Sequence, residues 1–429
     1  MYEAQPSQLS LFEVPPTQTA VEKIYFQEYR PISQLSSSSS IEFNIGSQNA
    51  MEYIDMRRSQ MYLKCKIWKA DSSLSEEVGP VNLLLQSLFT QVDVSIQNKQ
   101  VSSTSGHYPY KAFIQCLLRY GPEAKKSQLS SQLWINDTPG YLDDANAQTG
   151  GNSGLYQRAQ FFSGGKRVDL QGPIYHDLFC LDKYIINQVG LTIKFYRSKP
   201  DFYLMSTKSS ESCSIEIEEM ILKICKVQVN PAVIYAHSQV LESTNAKYSF
   251  TKTEVKMMSI PKGQVNFTWD NCVNGVRPIR CVIGFVNSLA VSGSLTLSPW
   301  NFKPYDLGQI TLSLDGLPVG GNPVRLNFDK SSGLTTISAF VNLFETSGKW
   351  MADSGNDLHR EDFANGFALY AFDVEPQFLS GHYLHLLKHG NLRIDCQFNK
   401  PLPEAATCVL YVETPGYFEI NKARDILIQ

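Results

Sequence analysis

The stretch VNLLLQSLFTQVDVSIQNKQVS (residues 81–102) sets apolar Val92, Val94 and Ile96 against polar Asp93 and Ser95. A period of two is the pattern of a strand with one buried face, and it predicts a strand closed by a turn at Asn98-Lys99. Far downstream, QITLSLDGLPV (309–319) repeats it, with Ile310, Leu312 and Leu314 against Thr311 and Ser313, then a turn at Asp315-Gly316. A chain that writes one strand and turn twice is constrained to hold two copies of the unit they belong to.

Other elements repeat in the same order. Helical periodicity puts Tyr110, Phe113, Ile114, Leu117 and Leu118 on one stripe, with Pro109 in the first turn and Gly121-Pro122 as the stop. In the second half Ile337, Phe340, Val341 and Phe344 form the matching stripe, closed by Gly348, and Ala112-Phe113 aligns with Ala339-Phe340. Leu191-x-Ile193 aligns with Leu392-x-Ile394, and both strands run on to a Lys-Pro, at Lys199-Pro200 and Lys400-Pro401. The spacing between copies drifts because loops differ; the first half carries the polar insertion Asp143–Gly154, expected as an exposed loop at the outer end. Ile215 and Ile217 alternate with Glu216 and Glu218, whereas Thr407–Val412 is apolar on both faces, as in a sandwich interior. Many short strands with turn residues between them predict an all-β chain of two tandem sandwiches, 41–229 and 230–429, joined near Asn230-Pro231, with a few short helices.

At 429 residues the length allows two domains that each bury a core. Residues 1–40 read as a flexible arm rich in Pro, Gln and Ser that ends in Ser36–Ser40. Within it Ile24, Tyr25, Phe26 and Tyr29 are too apolar for a spacer; they pack on their own domain or dock on a neighbouring subunit. Hydrophobic residues at 43% and charged residues at 18% make the chain globular, and a net charge of −3 gives no general attraction to nucleic acid or an anionic membrane. No signal peptide and no membrane-spanning run is expected. Nine scattered cysteines with no C-x-x-C read as small buried hydrophobes. The glycosylation-type triplets at Asn136 and Asn266 carry no meaning without a secretory route.

Chemistry-bearing patterns are sparse. There is no phosphate-binding loop and no nucleophile elbow; Gly151–Gly154 reads as a flexible loop. His382, His385 and His389 are the strongest metal candidate, but no Glu lies in the H-E-x-x-H place and no fourth ligand is evident. His176, Asp177 and Cys180 could be drawn as a Cys–His pair, yet their neighbours read as strand or core with no cleft. Asp143-Asp144 and Glu361-Asp362 read as solvated loop charge. The expectation is a protein without catalytic residues, metal or cofactor.

At this point the chain resembles a known family. PVNLLLQSLFTQVDVSIQNKQVS followed by YPYKAFIQCLL is similar to the first-domain signature of double jelly-roll major capsid proteins of Polinton/Maverick elements and adintoviruses. KTEVKMMSIPKG, RCVIGFVNS, PWNFKPYDLGQITLSLDGLPV, EDFANGFALYAFDVEP and KHGNLRIDCQFNKPLPEAATCVLYVE resemble second-domain blocks in the expected order. The resemblance covers residues 40–425 and places family-motif structural positions at Asn82, Leu83, Ser87, Phe89, Val92, Val94, Tyr108, Pro109, Tyr110, Pro299, Asn301, Phe302, Gly366, Asp373, His389 and Gly390. Trp300 departs from it, standing where the family more often shows Phe. The resemblance implies two eight-stranded jelly rolls and a homotrimer whose six jelly rolls make a pseudo-hexameric capsomer. It further implies an icosahedral virion shell, with neighbouring capsomers and minor or penton capsid proteins as partners and no sequence-specific nucleic-acid binding or membrane insertion. Other readings of the fold are a carbohydrate-binding module, a minor capsid protein, or a capsid-derived protein kept by a host for another use.

Overall fold

Apolar alternation becomes paired strands throughout the chain. The computed structural model describes all residues except 1–6, 10, 13, 15, 36–38, 47–48, 70–76, 104–105, 209–211, 376–385 and 429. The first half contributes β1 (Val21–Tyr29), β2 (Ser40–Ile45), β3 (Glu52–Lys69), β4 (Phe89–Ile96), β5 (Lys99–Ser103), β6 (Val168–Pro173), β7 (Leu191–Arg197) and β8 (Cys213–Val229). They form two four-stranded antiparallel sheets, in the orders β1-β8-β3-β6 and β2-β7-β4-β5. The second half contributes β9 (Ala246–Ile260), β10 (Asn266–Val276), β11 (Arg280–Asn287), β12 (Leu307–Leu314), β13 (Leu317–Pro318), β14 (Leu369–Asp373), β15 (His389–Phe398) and β16 (Ala406–Ile420). Its sheets run β9-β16-β11-β14 and β10-β15-β12-β13, with two short extra strands, Val324–Arg325 paired to β12 and Ile426–Ile428 paired to β16. Strand for strand the second order repeats the first. Two sheets in which sequence neighbours alternate between layers make a jelly roll, so the fold is a double jelly roll.

The duplication holds at the level of register. Val92, Val94 and Ile96 face Phe195, Ile193 and Leu191; Ile310, Leu312 and Leu314 face Cys396, Ile394 and Leu392. Both strands carry a bulge at the same place, between Phe89 and Gln91 and between Leu307 and Gln309. Each then enters a two-residue hairpin turn with both central residues at positive φ, the geometry that matches strand twist. In the second copy these are Asp315 (φ 50°) and Gly316 (φ 84°), and in the first Gln97 (φ 48°) and Asn98 (φ 62°). The first turn is therefore one residue earlier than Asn98-Lys99, because Lys99 already pairs with Ile96.

Both expected helices form, α1 (Tyr108–Arg119) and, later in the chain, α4 (Ile337–Thr346), each in the connection after the hairpin. Their packing differs. α1 is buried from Tyr108 to Leu118, with Lys111 and Gln115 inside, whereas α4 buries Ala339, Leu343 and Thr346. The stripe expected for α4 is thus displaced: Ile337 is 45% exposed and Phe340, Val341 and Phe344 are half-buried. Two further ten-residue helices lie between them, α2 (Ser153–Phe162) and α3 (Pro231–Val240), among shorter ones. Asn152 caps α2 and Asn230 caps α3, their side chains accepting from the Leu155 and Ala232 amides. Gly151–Gly154 is accordingly a helix start rather than a flexible loop.

The arm expected over residues 1–40 is also corrected. Val21–Tyr29 is the edge strand of the first jelly roll, paired along its length with β8, so the first roll begins at Val21 and not at residue 41. Tyr25 and Tyr29 are half-buried there, while Ile24 and Phe26 remain 41% and 46% exposed. Asn230 and Pro231 open α3, which lies between β8 and β9. Eight of the nine cysteines are buried and Cys180 is exposed. No helix among the described residues is long and apolar enough to cross a membrane.

Candidate functional site: the junction between the jelly rolls

Among the described residues the largest wholly buried side chain is an indole that crosses from one roll into the other. Pro299 and Trp300 leave the second roll just before β12, and Trp300 enters a cage of first-roll aromatics. Its ring stacks on Phe113 at 4.4 Å with planes 2° apart, meets Tyr110 edge-on at 5.2 Å and Phe202 at 5.8 Å. Phe113 stacks in turn on Trp134 at 5.3 Å. The indole Nε1 donates to the Asn82 carbonyl oxygen at 3.1 Å, which satisfies the one polar atom that burial would orphan. Asn82 is itself fixed, its Oδ1 accepting from the Leu83 and Ile135 amides, while Ser87 Oγ donates to its carbonyl. Leu83 sits at φ 57° to open the one-turn helix Leu84–Ser87. Tyr108 OH donates to Gln86 at 2.5 Å and accepts from the Tyr175 amide.

Polar contacts ring this plug. Asp143 accepts from the Ser298 amide and from Asn301 Nδ2, and pairs with Lys303 at 3.1 Å. Asp144 accepts from the Asn146 and Gly151 amides. The insertion Asp143–Gly154 is therefore folded against the second roll, with Ala145 and Ala147 buried, and is neither a crown of exposed loop nor a site of solvated charge. Asp362 likewise is the capping carboxylate of Arg360–Ala364, accepting from the His359 amide. Lys125 is buried and donates to the Leu117 carbonyl at 3.1 Å and to the Asn356 carbonyl of the second roll. Burial holds its ammonium down at about 8. Phe302 hydrogen-bonds along its backbone with Gly366 and Ala368. Gly366 has φ 117°, and a Cβ there would come within 2.5 Å of Leu142 Cδ1, so the position takes only glycine without a shift.

Of the motif positions, Asn82, Leu83, Ser87, Tyr108, Pro109, Tyr110, Pro299, Asn301, Phe302 and Gly366 surround the plug or the elements that hold it. Phe89, Val92 and Val94 lie in the first roll's core, Phe89 packing on Phe195 at 5.0 Å. Asp373, His389 and Gly390 are placed apart, at the ends of β14 and β15. Sequence reasoning missed the buried ion pairs beside the junction. Arg158 Nη2 meets Asp137 at 2.5 Å, and Arg158 also donates to the Pro80 and Ile135 carbonyls.

The Cys–His candidate is not assembled, and the histidine candidate lies largely outside the described residues. His382 and His385 lie outside the described residues, and His389 is exposed at the start of β15. Among the described residues no group of three or more His, Cys, Asp and Glu side chains could hold a metal ion. His176 and Asp177 lie at a buried 3-10 turn rather than a strand, and Cys180 lines a crevice of about 610 Å³ between the rolls where no cleft was expected. His176 does not pair with Cys180: Nε2 meets the Ser102 carbonyl at 3.2 Å and Nδ1 accepts from the Leu178 amide at 3.3 Å. Asp177 instead pairs with Lys111 and accepts from Ser102 Oγ at 2.6 Å. Burial alone would raise the Asp177 carboxyl; Lys111, His176 and the bonds from Lys111 and Ser102 outweigh it and hold it low.

Burial holds His176 down at about 4, against the raising effects of Asp177, Asp93 and the Ser102 bond and with Lys111 acting in the same sense as burial. The unfolded imidazole takes a proton near its ordinary 6.5 and the folded one only near 4. Stability is therefore intact above about pH 6.5 and falls as pH drops toward about 4, by on the order of 3 kcal/mol from this group. Melting temperatures measured from pH 7 to pH 4.5 should fall, and His176→Gln should flatten that slope. An unchanged slope in the variant would assign the acid sensitivity elsewhere.

No protein-family profile matches the chain. The uncharacterized protein F54H12.2 of Caenorhabditis elegans is 20% identical over 430 residues, covering 97% of this chain and 99% of that one. Among solved structures, one in the Sputnik virophage determined by cryo-EM matches with TM-score 0.68 at 9% identity, over 100% of this chain and 93% of that chain. The Faustovirus major capsid protein matches with TM-score 0.61 at 8% identity, over 96% and 92%. The mavirus major capsid protein matches with TM-score 0.54 at 10% identity, over 100% and 95%. These likenesses establish the double jelly-roll fold along the whole chain.

Proposed function

We propose that this chain is a structural protein and not an enzyme: a major capsid protein that trimerises into pseudo-hexameric capsomers and tiles an icosahedral shell. The observation that carries this reading is the two-roll block itself, locked by Trp300 and matched end to end by the major capsid proteins of Faustovirus and mavirus. Two like rolls per chain give six in a trimer, so three-fold closure makes a six-cornered ring that tiles a surface. Motif blocks from residue 40 to 425 support the Polinton/Maverick and adintovirus type, with minor or penton capsid proteins as further partners.

The surface supports self-association. β1 is a sheet edge with Ile24 and Phe26 in the open, and a strand edge left unpaired is a template for contact. Beside α4, Trp350 is 49% exposed and Met351 87%. Subunit contacts should exceed ~2,000 Å² per pair, as in obligate interfaces. Light scattering coupled to size exclusion should give a mass near three times 48.2 kDa. A stable monomer at micromolar concentration would remove the trimer.

A further inference from the structure

The end of the molecule where the rolls join carries an apolar cavity and an apolar segment that do not meet. α3 bridges β8 and β9 there and has no buried residue, although its sequence is PAVIYAHSQV. Tyr235 is 67% exposed and Val240 57%. Beneath its C-terminal half lies a cavity of about 480 Å³ with walls from Tyr53, Ile186, Val240, Leu241 and Tyr248. His237 is held over it by a 2.7 Å hydrogen bond between its Nδ1 and Tyr53 OH. The rim carries Lys183 and Lys247 against one carboxylate, Asp182.

The N-terminal segment leaves the first roll at this same end. Val21 pairs with Val229, and the Ala20 carbonyl accepts from the Asn230 amide at 2.9 Å, at the very start of α3. Upstream lies LFEVPP, in which Leu11 is 74% exposed, Phe12 97% and Val14 85%. Such exposure of consecutive large apolar side chains is what a soluble chain avoids unless a surface receives them. The prolines after Val14 favour an extended run, and the eight steps from Phe12 to Ala20 span up to ~27 Å. The ten residues of α3 rise only ~15 Å, so the segment is long enough to cross the helix and reach beyond it. Among the described residues of the segment, none of Leu11, Phe12 and Val14 lines the cavity of its own chain.

We infer that the LFEV segment of one copy docks in the cavity beneath α3 of a neighbouring copy. Phe12 enters between Val240 and Tyr248, and the carboxylate that the LFEV sequence carries gives the segment the charge opposite to the Lys183 and Lys247 rim. The inference rests on the self-assembly reading and deepens it: the amino-terminal segment becomes a strap between subunits at the end where each chain joins its two rolls.

The test uses full-length protein with Phe12 replaced by photoreactive p-benzoylphenylalanine, assembled from an equal mixture of ¹⁴N- and ¹⁵N-labelled chains. Irradiation should join position 12 to peptides spanning 231–248, with about half of the pairs linking a heavy to a light chain, as random mixing requires. Val240→Asp should lower that yield at least about fivefold with the particle mass unchanged, because a carboxylate would have to enter an apolar cavity. Links confined to one isotope, links elsewhere, or a yield indifferent to Val240→Asp each overturn the inference. A trimer that lacks the mixed links removes the strap alone; a monomer removes the function reading with it.

Discussion

Trp300→Ala is expected to destabilise the chain by about 4 kcal/mol and to uncouple the two rolls. Alanine removes the stack on Phe113, the edge contacts with Tyr110 and Phe202, and the donor to the Asn82 carbonyl in one change. The cavity cannot refill from one side, because its aromatic walls belong to the first roll while the plug comes from the second, and each sandwich keeps its own sheets. Calorimetry should show a single transition in the parent protein and two separated ones in the variant. Trp300→Phe keeps the stack and loses the hydrogen bond; Ser87 Oγ still donates to the Asn82 carbonyl, so the cost drops to about 1–2 kcal/mol. A Trp300→Ala protein that melts in one transition within about 1 kcal/mol of the parent would show that the plug does not couple the rolls.

Arg158→Met carries a comparable expected cost for a different reason. The guanidinium is 1% exposed and binds Asp137 together with the Pro80 and Ile135 carbonyls. Methionine fills much of the volume but leaves Asp137 as a buried charge whose remaining donor is Asn152 Nδ2 at 3.0 Å. Breaking one side of a buried pair costs about 3–5 kcal/mol, most of it the stranded partner. Adding Asp137→Asn should recover part of the loss, because the neutral amide no longer carries a buried charge. Urea titrations of the single and double variants measure this directly. A double variant no more stable than Arg158→Met would mean that the loss comes from packing and the two carbonyls.

What could be read in the sequence was what repeats locally. The period of two in Val92–Ile96 and Ile310–Leu314, and the Leu-x-Ile of their partner strands, fixed the pairing because a slip by one residue would turn each buried face to solvent. The helix α1 was legible from its stripe, but its full burial was not, since Lys111 and Gln115 look like a solvent face until Asp177 and Tyr411 arrive from other parts of the chain. α2 carries a local signal of its own: Asn152 as a cap, then Leu155, Arg158, Ala159 and Phe162 at helical spacing. β1 was obscured by composition, because an edge strand reading VEKIYFQEY leaves both faces largely exposed and looks like part of a polar arm. The Trp300 junction and the placement of Asp143 are long-range facts. Each partner is ordinary in its own segment, and only the docking of two finished sandwiches brings them together.

The central claim is that this block is built to tile. Electron microscopy of the purified protein, concentrated and imaged in negative stain, tests it most directly. The account predicts six-cornered particles with three-fold symmetry that pack into hexagonal sheets or closed shells. Isolated two-lobed monomers that form neither sheets nor shells at any concentration would contradict it.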